Sequence, residues 1–116
     1  MALKEQDDKN DDHEAYTDNT PLTKIFGNHA EVKIISAFLS EPDTENNVTR
    51  IAELAGVARK TVYDHIDSYI EYGIVTQTRE VAGSKMYKLN TENAAVESLA
   101  RFEWEMIDLV SEQGTD

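Results

Sequence analysis

The run IAELAGVARKTVYDHI, from Ile51 to Ile66, limits this chain's fold more narrowly than any other stretch. Two short apolar-periodic segments meet at Gly56 with almost no chain between them. Helices joined by so tight a turn cross at roughly 90–120° and need particular residues to do so. Ala52 supplies the small side chain required where the second helix passes close. Gly56 supplies a backbone that tolerates positive φ. Val57, Val62 and Ile66 supply the apolar contacts that hold the pair together.

The flanking sequence places further elements around this pair. Pro21 opens a periodic segment of Leu22, Ile25, Phe26, Ala30, Val32, Ile34, Ile35, Phe38 and Leu39. Gly27 breaks it near its start, which predicts a main helix over 28–39, ended by Ser40, Pro42 and Asp43. Residues 41–47 read as an exposed loop. Thr49 is placed to cap a helix over Arg50–Ala55 that Gly56 terminates. The next helix spans Ala58–Tyr72 and stops at Gly73. Two β-prone runs, Ile74–Val81 and Lys85–Leu89, are joined by Ala82-Gly83-Ser84 as a hairpin. Thr91 then caps a helix from Glu92 to about Ser111. Residues 1–20 lack apolar periodicity and are expected to be disordered.

The segment 51–66 resembles the helix-turn-helix signature. The hairpin after it makes the chain similar to the winged variant found in ArsR- and MarR-like transcriptional regulators. The runs Thr61-Val62-Tyr63-Asp64-His65-Ile66 and Tyr72-Gly73-Ile74-Val75 are especially similar to small archaeal, haloarchaeal-type regulators. The resemblance covers roughly residues 22–90. It implies an α+β, mainly α fold, with a three-helix core, a β-hairpin wing and an additional C-terminal helix. With the flanking segments the chain is expected to divide into a disordered acidic tail (1–20), a DNA-binding winged domain (21–91) and a dimerisation helix (92–113).

That resemblance implies a double-stranded DNA partner, with the 58–72 helix in the major groove and the wing on the backbone or minor groove. Helical projection puts Val62, His65, Ile66, Tyr69 and Ile70 on one face and Lys60, Asp64 and Asp67 on the other, flanked by Arg59 and Tyr63. Arg59 and Lys60 are the base-reading candidates, because either can donate to guanine O6 and N7. Thr61, Tyr63 and Asp64 join them. Asp64 is either a cytosine reader, a rejector of unsuitable sequences, a cation holder or a solvated residue, and Asp67 reads as solvated. His65, a conceivable pH switch, reads as a half-buried structural histidine, and Tyr63, Tyr69, Tyr72 and Tyr87 as core or rim aromatics. Arg79, Ser84, Lys85 and Lys88 in the wing, with Thr49 and Arg50 at a helix start, are the phosphate-contacting candidates. The six cations at 50, 59, 60, 79, 85 and 88 are expected on one side.

A formal charge of −12 opposes that reading, but its distribution softens the conflict. Residues 1–20 and 93–116 each carry −5, and the middle only −2. Such acidity serves either an interaction tail or life in a salty cytoplasm, and we read it as the second. Seven lysines among the eleven basic residues count mildly against this. The absence of cysteine removes disulfides and thiolate sites, and the three histidines have no metal-ligand spacing. No phosphate-binding glycine loop, metal cluster or nucleophile motif is visible. A non-enzymatic cytoplasmic protein is expected, without cofactor, metal, membrane contact or identifiable small-molecule effector.

In the last helix, Ala95, Leu99, Phe102, Met106 and Leu109 recur at spacings of four and three, widened by Val96, Ala100, Ile107 and Val110. So broad a stripe is expected to pair with a second subunit. Trp104 lies off this seam and is expected to pack on the 28–39 helix. Two functions remain open: a dimeric DNA-binding regulator, taken as a repressor, and a winged-helix protein-interaction module or DNA-mimicking adaptor that does not read DNA.

Overall fold

The turn at Gly56 is built as its sequence requires. The computed structural model describes residues 15–114, and in it Gly56 adopts a left-handed conformation (φ 70°, ψ 37°). Its N–H donates to the Ala52 carbonyl at 2.8 Å, ending helix α3 (Val48–Ala55). Val57 N–H donates to the same carbonyl at 3.1 Å, and α4 (Arg59–Glu71) begins after Ala58. Before this pair come a 3₁₀ turn (Tyr16–Asn19), α1 (Pro21–Phe26) and α2 (Ala30–Ser40). After it come strands β1 (Val75–Val81) and β2 (Ser84–Leu89), then α5 (Ala94–Gly114). The fold is therefore α+β and mainly α, a winged helix-turn-helix whose three-helix core is α2, α3 and α4.

The predicted apolar faces form the core. Ile34, Ala37 and Phe38 of α2 meet Ile51 and Ala55 of α3, and Val62 and Ile66 of α4, all at 0–2% exposure. Val75, Tyr87 and Leu89 seal the hairpin to this core, and Val96 adds the start of α5. Each fully buried aliphatic side chain stabilises the fold by about 1.5–3 kcal/mol.

The hairpin turn has two residues, not three. Ala82 (φ 51°) and Gly83 (φ 83°) take the left-handed backbone of a tight type I′-like turn, and Ser84 already pairs with Val81. A register shift between Gln77 and Arg79 bulges β1. Asn46 pairs with Tyr87 through two 2.8 Å backbone bonds, so the α2–α3 loop lies against the wing as a one-residue third strand.

Four further sequence expectations are corrected. Gly27 (φ 99°) separates two helices, so Pro21–Phe26 is a helix in its own right. Asn47, not Thr49, caps α3, its Oδ1 accepting from Arg50 N–H at 2.9 Å. Val48 is 5% exposed and belongs to the core, which pulls the helix start forward. Asn93 rather than Thr91 caps α5, accepting from Ala95 N–H at 2.9 Å, while its Nδ2 donates to Gly73 O at 2.9 Å.

The fourth concerns residues 15–20, placed in a disordered tail by sequence but ordered here; residues 1–14 lie outside the described residues. Hydroxyls substitute for apolar periodicity. Thr17 is fully buried and donates to Ala55 O at 3.3 Å, while Thr23 donates to Thr17 O at 2.7 Å. Thr20 donates to Ser36 Oγ at 3.2 Å. A buried hydroxyl is tolerated when bonded, and this set is. Ala15 packs beneath Gly56, where a Cβ would come within 2.5 Å of its own.

Candidate nucleic-acid interface

The N-terminal half of α4 and the inner face of the wing enclose a groove of about 450 Å³. Asn47, Val48 and Thr49 border it from α3, Arg59, Tyr63, Ile66 and Asp67 from α4, and Glu80, Gly83, Ser84, Lys85 and Tyr87 from the hairpin. The pleat aligns Glu80, Lys85 and Tyr87 of this set: Glu80 faces Lys85 and Gln77 faces Tyr87 across the ladder, so these residues share one face, while Gly83 and Ser84 border the groove from the wing tip. Tyr87 lies 4% exposed on the groove's inner side. Burial pushes its hydroxyl pKa up, with smaller contributions from Tyr63 and Asp67. Tyr63 stands above, half exposed.

The structure thus brings Thr49, Arg59, Tyr63, Ser84 and Lys85 together. It separates the rest. Arg79 opposes Met86 and Lys88 opposes Thr76, which puts both on the hairpin face opposite Lys85. The six cations consequently do not share one side as the sequence suggested. Thr61 is half-buried at the start of α4.

Three of the cations are held by carboxylates. Arg79 Nε donates to Glu45 Oε1 at 2.8 Å, and Arg50 donates to Glu41 Oε2 at 3.0 Å, with Glu53 at 4.0 Å. Lys60 Nζ lies 3.3 Å from Asp64 Oδ2 one helical turn away. The hydrogen bond from Arg79, helped by Thr78, holds the Glu45 carboxyl below the usual carboxylate range. Arg59, Lys85 and Lys88 have no ion pair among the described residues. Asp67 and Glu80, which sequence reasoning left out of the site, balance Arg59 and Lys85 in the groove.

His65 is half-buried and stacks on Tyr69 with ring centroids 6.2 Å apart. Tyr69 OH donates to Glu31 O at 3.1 Å, and burial, with Glu31 second, pushes its pKa up to about 12. Tyr72, by contrast, is 68% exposed and belongs to neither core nor rim.

On α5, Val96 is buried, Leu99 and Met106 are half-buried, and Ala95, Phe102 and Leu109 are exposed. Phe102 rests against Phe26 of α1 at 6.3 Å between centroids, so α1 extends the apolar surface that α5 presents. Trp104 is 75% exposed, and its predicted packing on α2 is not found. The contact with the domain is instead made by Glu103, whose Oε1 accepts from Leu22 N–H at 3.0 Å. Burial raises the Glu103 pKa and that hydrogen bond partly offsets the rise.

Among the described residues no helix is long and apolar enough to cross a membrane, and no cluster of potential metal ligands occurs. No protein-family model and no curated protein matches the chain. Similar solved structures do occur. Sso10a-2, a DNA-binding protein from Sulfolobus solfataricus, is 13% identical with a TM-score of 0.51, covering 72% of this chain and 86% of its own. That likeness shows a shared fold. The homodimeric winged helix-turn-helix DNA-binding domain of Mb0332 from Mycobacterium bovis, a possible ArsR-family regulator, is 19% identical with a TM-score of 0.49, covering 81% and 78% of the respective chains.

Proposed function

We propose that this protein is a non-enzymatic, sequence-specific double-stranded DNA-binding regulator. In this reading α4 enters the major groove, the wing follows the backbone or minor groove, and the protein acts in the cytoplasm as a dimeric repressor. The observation that carries it is the common groove of Arg59 and Lys85. One sits at the exposed start of α4 and the other beside the wing tip, and each is open to phosphate or a base edge. The shared fold with a DNA-binding protein supports the same reading. Arg59 is the base-reading candidate, Tyr63 a thymine-methyl or phosphate contact, and Thr49, Ser84 and Lys85 phosphate contacts. Arg50, Lys60, Arg79 and Lys88 bind phosphates from the margin. A dimer sharing the α1–α5 apolar surface would place two such grooves on a pseudo-palindromic site.

A protein-binding winged helix is the second reading. It is favoured by Asp67 and Glu80 in the groove and by the −12 charge. Fluorescence anisotropy on a duplex selected in vitro separates the two. Changing Arg59 and Lys85 to alanine is expected to weaken binding by at least tenfold, given about 1–3 kcal/mol for a good base contact. Unchanged affinity would favour the protein-binding reading.

A further inference from the structure

Helix spacing accounts for only two of the four ion pairs on the marginal cations, those of Glu53 and Asp64. Asp64 lies a turn from Lys60, but Glu41 comes from the end of α2 and Glu45 from the loop beyond it. Carboxylates from separate parts of the chain converge on cations that the DNA-binding reading assigns to phosphate. Meanwhile Arg59 and Lys85, in the groove, carry none.

We propose that this protein binds DNA by exchange: Glu45, Glu41 and Asp64 occupy Arg79, Arg50 and Lys60 in the free protein, backbone phosphates displace them, and the displaced carboxylates take up monovalent cations from solution. The proposal rests on the DNA-binding reading above. Neutralising a phosphate releases condensed cations from DNA, giving log affinity a slope of about −0.9 per contact against log salt. A carboxylate set free beside that polyanion recovers cations, so net release falls. The affinity therefore declines with salt less steeply than the number of cations alone dictates. Exposed pairs are weak, so each exchange lowers affinity by no more than about fivefold. Because sequence-independent binding is built from phosphate contacts, the device disfavours it more than base reading by Arg59.

The test is anisotropy with a fluorescein-labelled mixed-sequence duplex two helical turns long, titrated from low to near-molar potassium chloride. The double variant E45Q/D64N keeps side-chain size and removes two carboxylates. It is expected to bind about threefold to twentyfold more tightly at low salt, with a slope steeper by up to about 0.9 per pair. D18N, which removes the acid facing Lys33 at 3.6 Å, away from the groove's lining, is expected to bind as wild type does. Should E45Q/D64N melt early, R79A made in wild type and in E45Q gives the same answer, since exchange makes the arginine's loss larger once Glu45 is neutral. Equal losses in both backgrounds, or wild-type slope and affinity in E45Q/D64N, would overturn exchange and leave DNA binding standing. No binding by any of these proteins at any salt would overturn the DNA-binding reading itself.

Discussion

Helices α4 and α5 are both amphipathic, yet only one completes its packing inside the chain. On α4 the stripe Val62, Ile66 and Tyr69 is 0%, 2% and 7% exposed. Among the described side chains of α5 only Val96 reaches that level, while Phe102, Ile107, Leu109 and Trp104 remain 38–75% exposed. The difference follows from what faces each helix. α4 lies among α2, α3 and the hairpin, whereas α5 meets chiefly the two-turn α1. A short helix cannot cover a long one, because 21 residues of α5 extend for roughly 30 Å. α5 thus keeps exposed apolar surface that the winged core leaves uncovered.

The comparison can be broken first where its effect is largest. Ile66→Ala on α4 is expected to cost about 2–5 kcal/mol, lowering the melting temperature by on the order of 10–20 °C. A loss under about 1 kcal/mol would mean the core is not closed around α4. On α5, Met106→Glu with Leu109→Glu should leave the core's melting almost unchanged but halve the mass seen by light scattering to 13.1 kDa. A wild-type mass of 13.1 kDa would remove the second copy from the account.

The smallest effect belongs to Glu103→Gln. The folded pKa of Glu103 is raised, so the folded state binds more protons than the unfolded one and the ionised form is the disfavoured one. Its penalty is absent below the ordinary carboxylate range and grows as pH rises through the raised value. Because a glutamine oxygen still accepts from Leu22 N–H, the variant is expected to melt slightly higher at neutral pH. That advantage should vanish in acid, and an advantage that grew in acid would contradict the assignment.

The same contrast marks what was legible in the sequence. The period of Val62, Ile66 and Tyr69, the turn at Gly56 and the Gly83 hairpin are local signals, and each fixed its element within a residue or two. The caps were misread because Asn47 and Thr49 are both good cap formers, and only the burial of Val48 decides between them. The 3₁₀ segment escaped because threonine hydroxyls bonded to Ala55 and Ser36 leave no apolar period. The groove was partly legible: Arg59 and Lys85 were named, but their separation from Arg79 and Lys88 depends on the pleat and bulge of β1. Glu41 and Glu45 read from sequence as part of an exposed loop, because nothing local shows that the α2–α3 loop lies against the wing.

The central claim is that the two regions divide the work, DNA at the α4–wing groove and assembly at α5. Backbone amide chemical shifts followed by NMR during titration with a selected duplex test it most directly. The account predicts the largest shifts at Thr49, Arg59–Tyr63 and Ala82–Lys85, with α5 little changed. Shifts concentrated on α1 and α5, with the groove silent, would contradict it.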